Sequence, residues 1–259
     1  MTSESHWGRR PRDWAELAEP SNEPLFAAVL EQLRIGPGTM LLDIGCGSGY
    51  AARMATALGA DVCGIDNTPE LLEIARERVP NASFVQGQMD SLPFSGNSFD
   101  AAAGFNSFQF ADDPGNAVKE AARVVKPKGL IAATTFAEPE RNESTALHLA
   151  LEPLRSAAPT DARHLPYELS RPGGLERLLA QAELEPVRSG EVPLNWAHPD
   201  AEQAVRAILA SAGGAMAIEA AGEEAARTVL NQALVAFTRP DGSVSMRNVF
   251  RYAIARRVD

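Results

Sequence analysis

LLDIGCGSGYAARMA, residues 41–55, runs from an apolar strand through a glycine-rich turn into a helix. Leu41, Leu42 and Ile44 make a run of strand length, Gly45, Gly47 and Gly49 punctuate it, and YAARMATAL reads as a helix ended by Gly59. Glycines in such a turn take dihedrals closed to other residues, and no Cβ obstructs a ligand. The helix N-terminus offers free N–H groups and a positive dipole, so a ligand carboxylate or phosphate is expected beside it.

Outward from this segment the strand–helix rhythm continues. DVCGID (61–66) is a strand. TPELLEIARERV (68–79) is a helix with Thr68 as N-cap, Pro69 in its first turn, and Glu70 and Glu73 at its positive end. ASFVQGQM (82–89) and FDAAAGFNSF (99–108) are further strands. PGNAVKEAARVV (114–125) is a helix, Pro127–Gly129 a turn and GLIAATTF (129–136) a fifth strand. Strands alternating with helices imply a parallel sheet covered on both faces. Upstream, Leu25, Phe26, Val29, Leu30 and Leu33 recur at helical spacing until Gly36, Pro37 and Gly38. Downstream of Phe136 the rhythm changes. A helix is expected over Ser144–Leu154, another in RPGGLERLLAQAEL (171–184) and a strand in EPVRSGEV (185–192). Residues 198–237 form a long helical stretch broken at Gly213 and Gly214, and VSMRNVFRYAIARRV (244–258) alternates as a strand. The expected fold is α/β: a seven-stranded, mostly parallel sheet with helices on both faces and extra helical cap segments. Residues 1–37 are a helical cap, and 38–259 the main domain with insertions at about 139–170 and 199–237.

Asp66 ends the second strand, 23 positions after Asp43. An acid there is placed to accept from both ribose hydroxyls of an adenosine-like ligand, and it repels a 2′-phosphate. A dinucleotide fingerprint is GxGxxG, whereas Gly45, Gly47 and Gly49 give GxGxG and Tyr50 follows.

LLDIGCGSGYAARMA, GIDNTPELLEIARER and QGQMDSLPFSGNSFDAAAGFNSFQFADDPGNAVKEAARVVKPKGLI together resemble class I S-adenosylmethionine-dependent methyltransferases. The likeness is greatest to their ubiquinone- and menaquinone-biosynthesis-like, small-molecule branch, and it covers about residues 38–136. The resemblance implies a Rossmann-like fold and S-adenosylmethionine as cofactor, with S-adenosylhomocysteine as product. It places Gly45, Cys46, Gly47 and Gly49 at the loop against the methionine portion, with Asp43 anchoring that end through its amino group or a water. Asp66 holds the ribose, Asn67 borders the adenine, and Met89 and Asp90 close that site. Phe105 and Asn106 lie near the transferable methyl, and Trp14 covers the cofactor.

The formal charge of −10 disfavours a nucleic-acid substrate. The segment GFNSFQF lacks the Asp/Asn-Pro-Pro-aromatic motif of DNA amino-methyltransferases, which moves the expectation to a small organic acceptor methylated on O, N or C. Aromatics expected near the acceptor are Trp7, Phe108, Phe110, Tyr167 and Trp196. Catalytic residues are unknown; His148 and His164 lie in the irregular insertion where a base would act. Cys46 and Cys63 have no metal-ligand spacing and read as buried packing residues, so no metal is expected. No apolar run approaches the roughly 18 residues of a membrane span, and the first residues lack a secretory core, so a cytoplasmic location is expected. The chain is expected to be a monomer or homodimer. Two other readings stay open: a non-methylating S-adenosylmethionine-binding protein on the same fold, and an NAD-dependent oxidoreductase.

Overall fold

The structure, a computed structural model, describes residues 6–155 and 167–258. The chain begins with short turns: a 3₁₀ turn His6–Arg9, helix α1 (Pro11–Asp13), a π turn Trp14–Ala18 and a second 3₁₀ turn Glu19–Asn22. Helix α2 (Glu23–Gln32) leads to β1 (Met40–Ile44), α3 (Tyr50–Ala57), β2 (Asp61–Asp66) and α4 (Pro69–Arg78). Then come β3 (Ser83–Gln86), β4 (Phe99–Gly104), α5 (Pro114–Val124) and β5 (Val125–Phe136). The second half holds α6 (Thr145–Arg155), α7 (Tyr167–Ser170), α8 (Gly174–Ala180) and β6 (Glu185–His198). Helices α9 (Ala201–Leu209), α10 (Ala212–Ala221) and α11 (Glu223–Leu234) precede β7 (Val244–Arg256).

The seven strands pair in the order β3-β2-β1-β4-β5-β7-β6, so the expected fold class is observed. Six strands run in the same direction, and β7 alone runs antiparallel, between β5 and β6. Strand alternation puts Leu41 and Asp43 on one face of β1 and Leu42 and Ile44 on the other. The first face is buried under Leu25, Val29 and Leu30 of α2 and Ala52 and Ala55 of α3. The second packs against Ala117, Val118 and Ala121 of α5 and Leu175 and Leu178 of α8. A separate core joins Leu147 and Leu151 of α6, Val205 and Ile208 of α9 and Leu230 of α11 to Val244 and Met246 of β7. The helical cap is thereby anchored on the end of the β6–β7 pair.

Three local expectations need correction. Gly213 and Gly214 do not break the helical stretch; they open α10 behind the Ser211 N-cap, whose hydroxyl accepts from Gly214 N. The breaks fall at Ala210–Ser211 and at Gly222. A Cβ on Gly214 would meet Ile208 O at 2.4 Å, so glycine there permits the tight corner between α9 and α10. Strand β6 is also longer than expected, because β7 pairs it as far as His198. It tolerates Pro186 and Pro193 because it is an edge strand. Finally, β5 begins before the expected turn, and Pro127–Gly129 forms a bulge between the pairings Phe99–Val125 and Ala101–Leu130. Among the described residues no single helix is long and apolar enough to cross a membrane; α9 and α10 would suffice only together, and they meet at 89°.

Gly49 holds φ +76° at the N-cap of α3, and a Cβ there would lie 3.0 Å from the Cβ of Ala75 on α4. Gly49→Ala is therefore expected to cost roughly 1–3 kcal/mol. For a chain of this size that lowers the thermal midpoint by about 2–4 °C per kcal/mol. An unchanged midpoint in a melting experiment would show that α4 backs away without cost.

Candidate functional site

The carboxyl ends of β1, β2 and β4 open into a cavity of about 350 Å³. Its floor is the Gly45–Gly49 turn. Asp66, at the end of β2, accepts from Gly47 N through Oδ2 at 2.9 Å and from Thr68 N through Oδ1 at 2.9 Å. One carboxylate thus fixes both the glycine turn and the start of α4. Thr68 is the N-cap as expected, but its hydroxyl makes no capping bond; Asp66 satisfies the helix instead. Burial pushes the Asp66 carboxyl above its usual range, against the lowering effect of these N–H donors.

The turn is not a cradle for an external anion. Gly45 N and Cys46 N donate to Ile65 O, Gly47 N to Asp66, Ser48 N to Glu19 and Gly49 N to Cys46 O. Within the turn, Gly47 N and Ser48 N thus serve the protein's own Asp66 and Glu19. Glu19 is buried and holds four donors. Its Oε1 accepts from Trp14 Nε1 at 3.1 Å and Ser48 N at 3.1 Å; its Oε2 accepts from the Ser48 hydroxyl and from Arg78 Nη1 at 2.8 Å. Arg78 also donates to Ala15 O at 2.9 Å. A Cβ on Gly47, at φ +53°, would lie 2.8 Å from Glu19 Oε1. Burial raises the Glu19 pKa, while Ser48 and Arg78 oppose the rise.

Asp43 is the isolated acid of the site. It is 1% exposed, and neither carboxylate oxygen makes a hydrogen bond of good geometry among the described residues; the Ala52 N–H of α3 stands near enough only to oppose in part the rise of its pKa. Burial first, then the charges of Glu19 and Asp66, push its pKa to about 8. Three carboxylates thus surround the glycine turn, with Arg78 as the cation bonded to Glu19.

Of the residues expected to meet a cofactor, the cavity wall brings together Trp14, Asp43, Gly45, Cys46, Gly47, Asp66, Asn67, Met89, Phe105 and Asn106. Gly49 and Asp90 are not on that wall. Gly49 packs α3 against α4 and β3, and Asp90 turns its carbonyl to Asn116 Nδ2 at 2.7 Å. Asn106 stands in the left-handed region at φ +55°. Its Nδ2 is the free end of the amide, since Gln109 Nε2 donates to its Oδ1 at 2.5 Å.

A second chamber of about 130 Å³ adjoins the first. Trp7, Trp14, Asn22, Asn106, Phe110 and Ala212 line both. Trp7 packs edge-on against Trp14 at 4.6 Å and Phe110 at 5.4 Å, so an aromatic cluster stands at the junction. Trp196 and His148 line the second chamber, as does His198. Phe108, expected at the acceptor, is instead core: it is 1% exposed and packs under Gly104, against the α5 and α8 layer. His164 lies outside the described residues, as does the side chain of Tyr167. Sequence reading missed Glu19, Ser48 and Arg78. Arg78 reads as an ordinary cation at a helix C-terminus, and no local pattern links it to Glu19, 59 positions away. Among the described residues no cluster of His, Cys, Asp or Glu could hold a metal.

Residues 42–133 match the family described as a methyltransferase domain. The chain is similar to a demethylmenaquinone methyltransferase of Renibacterium salmoninarum, 31% identical over 111 residues, covering 43% of this chain and 47% of the relative. The chain spans about half the length of the curated relatives it matches. Among solved structures, a SAM dependent methyltransferase from Aquifex aeolicus superposes with a TM-score of 0.57 at 17% identity, covering 96% of this chain and 98% of that one. A [4+2]-cyclase superposes with a TM-score of 0.59 at 21% identity, covering 90% and 80%.

The Asp43 pKa of about 8 lies above its unfolded value, near 3.8. The stability gained by keeping it protonated is complete below pH 4 and is lost as pH rises towards 8. Asp43→Asn is therefore expected to lose less stability than the parent between pH 5 and pH 8. Thermal midpoints of both proteins across that range check this; parallel curves would show an Asp43 already ionised at pH 5.

Proposed function

We propose that this chain, whose residues 42–133 match a family described as a methyltransferase domain, binds S-adenosylmethionine in the 350 Å³ cavity and transfers its methyl group to a small organic acceptor held next door. The observation that carries the cofactor reading is the charge of the cavity. Asp43, Asp66 and Glu19 ring a turn whose N–H groups are already bonded within the protein. A dinucleotide pyrophosphate would meet Asp66 and Glu19 there, and the N–H groups of residues 45–49 are not free to receive it. A ligand with an ammonium and a sulfonium meets complementary charge.

The bound cofactor supplies an activated methyl on a positively charged sulfur. The chain's residues do the rest. Asp43, left without a partner, pairs with the ligand ammonium and returns to its ionised form. Asp66 keeps its bonds to Gly47 and Thr68 and offers its remaining lone pairs to the ribose hydroxyls. Asn67 and Met89 border the adenine. Phe105 and Asn106 face the methyl, and the Trp7–Trp14–Phe110 cluster keeps water from the line of transfer. The net charge of −10 argues against a nucleic-acid acceptor. A cytoplasmic setting suits the two buried free thiols, Cys46 and Cys63. Detection of a methylated product separates this reading from a cyclase-like role on the same fold.

Thermal unfolding with S-adenosylhomocysteine, S-adenosylmethionine or NAD tests the cofactor. A ligand at about a hundred times its Kd adds roughly 2.7 kcal/mol, a shift of several degrees. A shift with the two S-adenosyl ligands alone is expected; a shift with NAD alone would overturn the reading. Asp66→Ala should weaken S-adenosylhomocysteine at least about tenfold by calorimetry, since it removes charge-assisted acceptors. An unchanged Kd would remove Asp66 from the ribose.

A further inference from the structure

A hollow of about 370 Å³ lies between the end of α2 and the strands β5, β7 and β6. The starts of β5 and β6 and the end of β7 form it, so it stands at the amino edge of the sheet, opposite the cofactor cavity. Its charge is the reverse of the molecule's. Four cations, Arg34, Lys128, Arg188 and Arg256, face one acid, Glu31, in a chain whose formal charge is −10. Arg256 has Glu185 within 3.5 Å. The side chains of Arg34, Lys128 and Arg188 make no ion pair or hydrogen bond among the described residues.

The backbone goes out of its way to bring these cations together. Arg34 closes α2 at φ +57°: its N–H donates to Glu31 O and that of Ile35 to Leu30 O, an ending where glycine is the usual residue. Lys128 stands at φ +68° in the bulge of β5. Left-handed backbone disfavours long side chains and persists where the surroundings or a function hold it. In β6 a bulge at Val187 breaks the alternation, so Val187 and Arg188 both reach the hollow, although consecutive strand residues otherwise point to opposite faces.

We infer that this hollow binds the diphosphate group of a small soluble molecule. The three unpaired cations arrive from three walls, α2, β5 and β6. A phosphate offers oxygens in every direction to such donors, whereas a carboxylate accepts close to one plane. Four cations against one acid leave an excess of three positive charges. A diphosphate ester, whose terminal phosphate has a second pKa near about 6, carries about three negative charges at neutral pH. Leu130, Val187 and Ile254 give an apolar floor for the organic part. A nucleic acid would extend its charge past the hollow over a surface that is negative on average. A small ligand meets only the charges within a Debye length, about 8 Å at physiological salt. The site is separate from the methyl-transfer cavity and does not depend on that reading.

Titration calorimetry of the wild-type protein with inorganic pyrophosphate, without cofactor and at low salt, should give a Kd below about 1 mM. Citrate, of similar charge but offering only carboxylates, should bind at least about tenfold more weakly. Lys128→Gln and Arg188→Gln should each weaken pyrophosphate at least about tenfold, as loss of a charge-assisted bond does. Arg239→Gln, which removes an exposed cation outside the hollow, should change the Kd less than about threefold. Absence of pyrophosphate binding, citrate binding as tightly, an unchanged Kd in Lys128→Gln or Arg188→Gln, or an equal loss in Arg239→Gln overturns the inference. Phosphatidylcholine vesicles containing about a fifth phosphatidic acid test a lipid-borne phosphate. Co-sedimentation with them by a protein that ignores free pyrophosphate would assign the face to a membrane surface and overturn the inference too.

Discussion

The carboxylate of Asp66 is the joint on which the site turns. By accepting from Gly47 N and Thr68 N at once, it couples the turn after β1 to the helix after β2. These are adjacent parallel strands, so the bond ties two neighbouring loops together at the sheet's carboxyl edge, beside the crevice between β1 and β4 where the strand order reverses. Loss of that bond would leave two backbone donors unpaired in a partly buried place, a cost of about 1–3 kcal/mol each. It would also free the glycine turn to move relative to α4. The cavity floor therefore depends on an interaction that looks, from the sequence, like a ligand contact alone.

Around that joint the molecule separates charge by chamber. Asp66 and Glu19 concentrate negative potential beside the glycine turn, and their charges add to burial in keeping Asp43 protonated. A short distance away, beyond Asn106 and the tryptophan pair, the described wall residues include no Asp, Glu, Lys or Arg, and the one charge close behind them is the Arg155 cation beside His148 and Gly213. An acidic compartment stabilises a cationic partner before reaction. An uncharged compartment does not screen the reacting centre once water is excluded. The left-handed backbone of Asn106 places its side chain at the boundary between the two, where strained residues often have a functional reason to persist.

What the sequence made legible follows the range of the interactions. The glycine turn, Asp43 and Asp66 are read from residues within one strand–helix–strand unit, where spacing dictates geometry. The sheet is read from the alternation of strands and helices, because each short connection leaves few topologies. The clasp of Glu19 with Ser48 and Arg78 could not be read that way, since it joins residues 29 and 59 positions apart. Phe108 misled because an aromatic past the fourth strand suits core and pocket alike; only the packing under Gly104 decides. Gly214 misled for a related reason. Its role is a close approach to the Ile208 carbonyl, and glycine by itself signals a break as readily as a tight corner.

The placement of β7 bears on how the chain is made. Strand β6 leaves the ribosome before β7, its sole sheet neighbour, which begins 46 residues after β6 ends. Until then β6 exposes unpaired backbone on both edges, the condition under which nascent chains aggregate. Its own composition guards it: Pro186 and Pro193 lack donors, and Glu185, Arg188 and Glu191 add charge. The three helices α9, α10 and α11 emerge in the interval, but their core needs Val244 and Met246 to close. Synthesis thus completes β1 to β5 before β7, and the second chamber, which needs Phe250 and Trp196 together, forms only after them.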